Sequence, residues 1–175
     1  MASELHVDAI KHSGGTSALT IDSSGNVHKA GLIVQTSFHS FNTATTLNSD
    51  SNADVGGSSH TFTPKFASSL LIISCSVHVQ MSRNTTAQGC TINVVVDGSD
   101  ITHSAQDYEN YVAIGAGNTN NYIRIHKEVS LSASNTNAKT VKLNGRPYAT
   151  GDSGQVKVNQ GSNFTSSIKI QEIAQ

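Results

Sequence analysis

The stretch "SLLIISCSVHVQMS", residues 69–82, decides the fold. Leu71, Ile73, Cys75, Val77, Val79 and Met81 fall on one side of it, and Ser74, Ser76, His78 and Gln80 on the other. A helix would bring apolar residues round every three or four positions, whereas this strict period of two is the mark of a strand with one face in a core. The following "CTINVVVDGSDIT" (90–102) repeats the pattern with Cys90, Ile92, Val94 and Val96. It then reaches Asp97-Gly98, a dipeptide suited to tight hairpins because both positions tolerate positive φ.

Working outward, further strands are expected in "NYIRIHKEVSLSAS" (121–134), with Ile123, Ile125, Val129 and Leu131 on one face. "TVKLNGRPY" (140–148), "GQVKVNQ" (154–160) and "SSIKIQEIAQ" (166–175) continue the series. Asn144-Gly145 reads as another turn signal, and residues 135–137 as a loop. Upstream, "GLIVQTSFHSF" (31–41) and "SSHTFTPKF" (58–66) bracket the polar loop "NTATTLNSDSNADVGG" (42–57). Two prolines and abundant Ser, Thr, Asn and Gly punctuation argue against helices of ordinary length. Roughly eight strands at regular turn spacing predict an all-β chain whose residues 31–175 form an antiparallel β-sandwich, most simply a jelly roll.

Residues 1–30 lie outside that body. "SELHVDAIKH" and "SALTIDSSGNV" are short strand-like runs whose apolar residues, Leu5, Val7, Ile10, Leu19, Ile21 and Val27, are too sparse to close a core. An isolated hairpin is marginal in water. The arm is therefore expected to find a partner surface, most economically the same segment of neighbouring chains about a symmetry axis, or a larger assembly.

At 175 residues the chain has room for one ordinary domain and an accessory segment. A net charge of -1 with only 13% charged residues leaves no basic footprint for nucleic acid or for an anionic membrane. No basic n-region followed by an apolar stretch opens the chain, and no run approaches the ~18 apolar residues of a membrane span. Synthesis in a cytoplasm is the expectation, and Cys75 and Cys90 then read as reduced core thiols on consecutive strands rather than a disulfide.

The combination "ASELHVDAIKHSGGTSALTIDSSGNV" (2–27), "GLIVQTSF" (31–38) and "SHTFTPKFASSLLIISCSVHVQ" (59–80) resembles small virion proteins of tailed phages, especially phages of cyanobacteria and other aquatic bacteria. Tail-fibre and tail-tip proteins of that group often open with an "S-E-[LI]-x-V-D-x-I" segment and an "ALTID-S-G-NV" hairpin. They often continue into a "[FI]-T-P-K-x-A-S-S-x-[IL]-L-I" strand pair. The resemblance covers the N-terminal half; beyond residue 100 only the texture matches. It implies a homotrimer in the virion, with residues 1–30 as attachment or trimerisation arm and the sandwich facing outward.

Residues that could carry chemistry are weighed against plainer roles. The eight histidines, His6, His12, His28, His39, His60, His78, His103 and His126, show no H-x-H pair and no helical H-x-x-x-H. No metal site is expected from them. Asn48, Asp50, Asn52 and Asp54 alternate like calcium ligands, but an EF-hand-type loop beginning at Asp50 would need Gly and Glu where Val55 and Thr61 stand, so a solvated loop is expected. No G-x-S-x-G elbow, no paired carboxylates in an evident groove and no cofactor motif occur, which argues against an enzyme. The segment "HSAQDYENYVAIGAGNTNNY" (103–122) breaks the strand alternation and holds three of the four tyrosines. Asp107, Tyr108, Tyr111, Asn118, Asn120 and Tyr122 combine rigid amphipathic rings with adaptable amides, the chemistry of a recognition surface. The alternative is that Tyr108 and Tyr111 cap a sheet edge or fill an intersubunit seam. The expected role is that of a tail-fibre or tail-tip adhesin contacting a host-surface glycan; a capsid decoration protein that stabilises the head is the second reading.

Overall fold

The computed structural model describes residues 8–175 apart from 16, 22, 24, 26, 84–86, 102–108, 114–118 and 162, and the backbone alone of 28, 109–113 and 119. In chain order the strands are β1 (Ala9–Lys11), β2 (Ser17–Ile21), β3 (Val27–His28), β4 (Ile33–Phe41), β5 (Thr45–Leu47), β6 (Ala53–Asp54), β7 (His60–Phe62) and β8 (Leu70–Arg83). They continue as β9 (Ala87–Val96), β10 (Ser99–Asp100), β11 (Glu109–Ala113), β12 (Thr119–Ser132), β13 (Lys139–Pro147), β14 (Gln155–Val158) and β15 (Ser166–Ile173). No helix occurs among the described residues, and every pairing is antiparallel.

The number of strands exceeds the roughly eight read from the sequence because several sheet positions are filled by two short strands end to end. In the first large sheet β8 pairs along its whole length with β12 on one side. On its other side β15 takes Leu70–Ser76 and β14 takes Val79–Ser82, flanked in turn by β4 and β5. The second sheet places β9 and β13 at its centre, with β10 and β11 along the free side of β9 and β6 and β7 along the free side of β13. Each sheet is thus four positions wide, and the polar loop 42–57 contributes β5 and β6 to them.

The two sheets share one core. Leu71, Ile73, Cys75, Val77, Val79 and Met81 of β8 are all buried, as the alternation demanded. They meet Cys90, Ile92, Val94 and Val96 of β9, Val141 and Leu143 of β13, and Ile168 and Ile170 of β15. Truncating one of the larger side chains, such as Ile73, would cost about 2–5 kcal/mol through lost transfer energy and the cavity left. Cys75 and Cys90 are both buried, but they stand in different sheets.

Turn chemistry is followed in one place and overridden in another. Asp97 and Gly98 have φ of 50° and 84°, and Ser99 folds back opposite Val96. This is the doubly left-handed geometry for which Asp-Gly is selected. Asn144-Gly145, by contrast, makes no turn: both sit inside β13, opposite Asn93 and Ile92. Gly145 is required there by packing, since a Cβ would stand 2.3 Å from the Thr91 carbonyl oxygen and 3.3 Å from Leu47 across the core.

Residues 9–28 form a separate three-stranded sheet in the order β1-β2-β3, with Ile10 opposite Leu19 and Ile21 opposite Val27. Ile10 and Val27 keep 49% and 41% of their surface exposed, so the arm does not bury its own apolar residues. Leu5 and Val7 lie outside the described residues. The arm joins the body where Gly31 donates to the Ala174 carbonyl and Ala174 donates to that of Leu32.

The side where β4 approaches β7 is closed by polar contacts. Gln35 reaches the Thr63 carbonyl, Ser37 bonds His60 at 2.7 Å, and His39 bonds the Gly57 carbonyl at 2.8 Å. The His39 and His60 rings stack 5.0 Å apart. Burial, and then the neighbouring His39, hold the pKa of His60 below the usual histidine value.

Candidate functional site

Register gives the body two distinct ends. Ile173, Leu70 and Ser132 share one end of the first sheet, and the arm enters there because Ile33 pairs with Ile173. Arg83, Thr119 and Gln155 share the other. Leu70 and Gln80 are ten positions apart on β8, which is about 33 Å at ~3.3 Å per residue.

The far end gathers β11, the start of β12 and the loops after β5 and β13. β11 pairs with Ala87–Cys90 just beyond the β8–β9 connection, which brings the backbone of Tyr111 there. Residues 148–154 follow Pro147, itself opposite Cys90, and residues 48–52 follow Leu47, opposite Val156. Of the expected recognition residues, Asp107, Tyr108 and Asn118 lie outside the described residues, and the side chain of Tyr111 is not described. Asn120 and Tyr122 are on β12, so the segment does not simply break the strand alternation: Tyr111 and Tyr122 both occupy strands.

Tyr122 belongs to an aromatic group on the outer face of the first sheet. Phe164, from the loop before β15, lies flat on His78 with ring centroids 3.6 Å apart and planes 9° apart. Tyr122 tilts beside both, 6.2 Å from His78 and 6.4 Å from Phe164. The phenol remains 53% exposed, whereas His78 is 8% exposed beneath Phe164. Burial, followed by the nearby Arg124 cation, lowers the pKa of His78 from its usual value, so the imidazole is neutral at pH 7. Arg124 is pinned by its bonds to Ser76 Oγ and the Thr165 carbonyl.

The rows of side chains running across this face are set by register. Tyr122, Gln80 and Lys157 form one row, and Asn120, Ser82 and Gln155 the next towards the tip. Gln155 also lines an open polar hollow of about 250 Å³ with Asn48, Thr150, Ser153 and Gly154. Nearby, Thr150 donates to Asp50 Oδ1, Arg146 donates to the Asp50 carbonyl, and Arg83 stands 3.6 Å from Asp152. The alternating acids of the 48–54 loop do not converge: Asp54 is held by Lys142 at 2.6 Å. Among the described residues no cluster of three or more metal-ligating side chains occurs, and no helix is long and apolar enough to cross a membrane.

Two features escaped the sequence reading. Phe164, next to a sequon-like Asn163, gave no periodic signal because its loop position is set by the fold. Glu172 did carry a signal: in "SSIKIQEIAQ" it is in phase with Ile168 and Ile170, and it is fully buried. Its carboxylate accepts from Gln35 Nε2 at 2.6 Å, Ser69 Oγ at 2.7 Å, and the backbone N–H groups of Lys65 and Phe66 at 2.9 Å. The "TPKFASS" segment is therefore a loop wrapped round a buried anion. Burial pushes the pKa of Glu172 upward, but the hydrogen bonds from Lys65, Ser69, Phe66 and Gln35 together outweigh it and hold the group below its usual value.

No protein-family model and no curated protein matches the chain. A solved structure similar to it is described as dimeric latent PorU from Porphyromonas gingivalis. It is 8% identical over 93% of this chain, with a TM-score of 0.38. The chain spans 15% of that protein, and a likeness at this level carries no argument about fold or function.

Proposed function

We propose that the chain is a non-enzymatic structural protein of a tailed-phage virion, a homotrimeric tail-fibre or tail-tip adhesin that contacts a host-surface glycan. The N-terminal motifs supply the resemblance. The observation that carries the adhesin reading is the polarity of the body: the arm enters at the Leu70–Ile173 end, and the aromatic group with the tyrosine-bearing strand β11 stands at or towards the other. A fibre component needs one end for the particle and one for its target. Residues 1–30 serve as attachment and trimerisation arm, an assignment supported by the exposure of Ile10, Val27, Leu32 and Ile33 around the junction.

The strand order supports a jelly-roll reading of the body. The chain enters the first sheet through β4 and β5, crosses to β6 and β7, returns to β8, and crosses again to β9 with its hairpin partners. It then alternates through β12, β13 and β14 with β15. Two four-position sheets wound in this way are what the double Greek key of a jelly roll calls for.

The test is immunogold labelling of purified particles with antibody against residues 31–175, together with the solution mass of the full chain. Label at the tail end and a trimer mass support the reading. Label spread over the head overturns the adhesin assignment and makes the arm a capsid clamp, as a decoration protein requires.

A further inference from the structure

The row of Tyr122, Gln80 and Lys157 is unusual for the polar groups it leaves uncommitted. Elsewhere on this outer face Ser74 is bonded to Glu128 and Ser76 to Arg124. Here the Gln80 side-chain oxygen is buried without a partner, in a residue 5% exposed, and His78 Nδ1 is in the same state one row away. Among the described residues the hydroxyl of Tyr122, the amides of Asn120 and Gln155 and the Lys157 ammonium also find no hydrogen-bond partner. Buried polar atoms without partners are rare, and two of the four among the described residues, Gln80 Oε1 and His78 Nδ1, lie in adjacent rows of this face. Half-exposed aromatic area beside such groups is how proteins hold a ring that is apolar on its faces and hydroxylated round its rim.

The charges here are one-sided. Lys157 is next to Gln80 in its row and Arg124 is next to His78 in the row below. Neither row holds a carboxylate. Asp152 at the tip is engaged by Arg83, and Glu128 stands six positions along β12 from Tyr122, about 20 Å away. A neutral sugar offers the Lys157 ammonium only hydroxyl acceptors, whereas a carboxylate offers a charge-assisted bond roughly twice as strong.

Resting on the adhesin reading above, we infer that this surface binds an acidic saccharide. One pyranose face packs on Tyr122 and Phe164, the hydroxyls meet Asn120 and Gln155, and the sugar carboxylate pairs with Lys157.

Saturation-transfer NMR titrations of the full chain with glucuronic acid, its methyl ester and glucose test this. Glucuronic acid should bind roughly fivefold more tightly than the uncharged methyl ester. That margin should vanish in Lys157→Gln and shrink as sodium chloride is raised. Tyr122→Ala should weaken all three sugars by about tenfold while leaving the far-UV spectrum and melting temperature in place. Equal binding of acid and ester, or an unchanged margin in Lys157→Gln, would overturn the acidic ligand while leaving saccharide binding standing. No saturation transfer from any sugar would overturn the site itself. The particle labelling decides the adhesin reading separately.

Discussion

Glu172→Gln removes one charge and almost no volume, and it should be among the most damaging single changes in the body. The carboxylate is fully buried and is met by four donors, Gln35, Ser69 and the backbone of Lys65 and Phe66. A carboxamide offers one oxygen and an NH2 group. At least one donor therefore loses its acceptor and faces another donor in a dry site. Hydrogen bonds to charged groups contribute about 1.5–3 kcal/mol each, and a stranded buried donor costs about 1–3 kcal/mol. The expected loss is roughly 2–4 kcal/mol, or a fall in melting temperature of about 6–12 °C for a domain of this size. Urea and thermal unfolding followed by circular dichroism measure it, with Gln171→Ala on the opposite face as a control expected within about 0.5 kcal/mol. The pH dependence gives a second reading. Because the folded-state pKa lies below the ordinary 4.5, the unfolded chain binds the proton first on acidification. The stabilisation is complete above the unfolded value and is lost as pH falls through the folded one. The gap between wild type and Glu172→Gln should therefore be widest near pH 7 and close in acid. A melting temperature altered by less than about 1 °C, or a gap independent of pH, would refute the clamp.

Gly145→Ala should destabilise by more than about 2 kcal/mol, because its Cβ would stand 2.3 Å from the Thr91 carbonyl; a melting temperature unchanged in the variant would show that β9 and β13 have room to spread. Lys127 donates to the Ile92 carbonyl across the core at 2.9 Å, a charge turned inward on β12, which among the described residues has a strand neighbour on one side only. Inward charges discourage strand addition, so Lys127→Met should increase self-association in light scattering at equal concentration, and unchanged scattering would remove that role. His60 is held neutral by burial and by His39. Its folded pKa lies below the unfolded 6.5, so stability is full above pH 6.5 and declines on acidification below it. His60→Gln should flatten that decline in pH-dependent unfolding, and an unaltered slope would place the titration elsewhere.

The legible part of the fold was the part governed by alternation. β8, β9, β12, β14 and β15 appear where period two put them, and Asp97-Gly98 turns because its conformational preference is local. Asn144-Gly145 carries the same kind of local signal and makes no turn, since a continuous ladder with β9 and the tight approach to Thr91 outweigh a preference worth about 1 kcal/mol. The recognition surface was half legible. Tyr122 and Asn120 drew attention by composition, but Phe164, His78, Gln80 and Lys157 come from two separate strands and a loop, and no single window of sequence contains them. Glu172 was in phase with the core, yet a lone acid at an inward position has meaning only once a loop more than a hundred residues earlier supplies its donors.

By itself, then, the sequence determined that the chain is built of strands, which face of the long strands turns inward, and that residues 1–30 carry only sparse apolar groups. These follow from side-chain periodicity and local conformational preference, which act over a few residues. Only the tertiary structure decided how β8 chooses β12, β14 and β15 as neighbours, which end receives the arm, and which polar groups are left without partners. Those outcomes depend on pairings between residues far apart in the chain, whose energies arise from shared burial and from hydrogen bonds that exist only once both sheets have closed on one core.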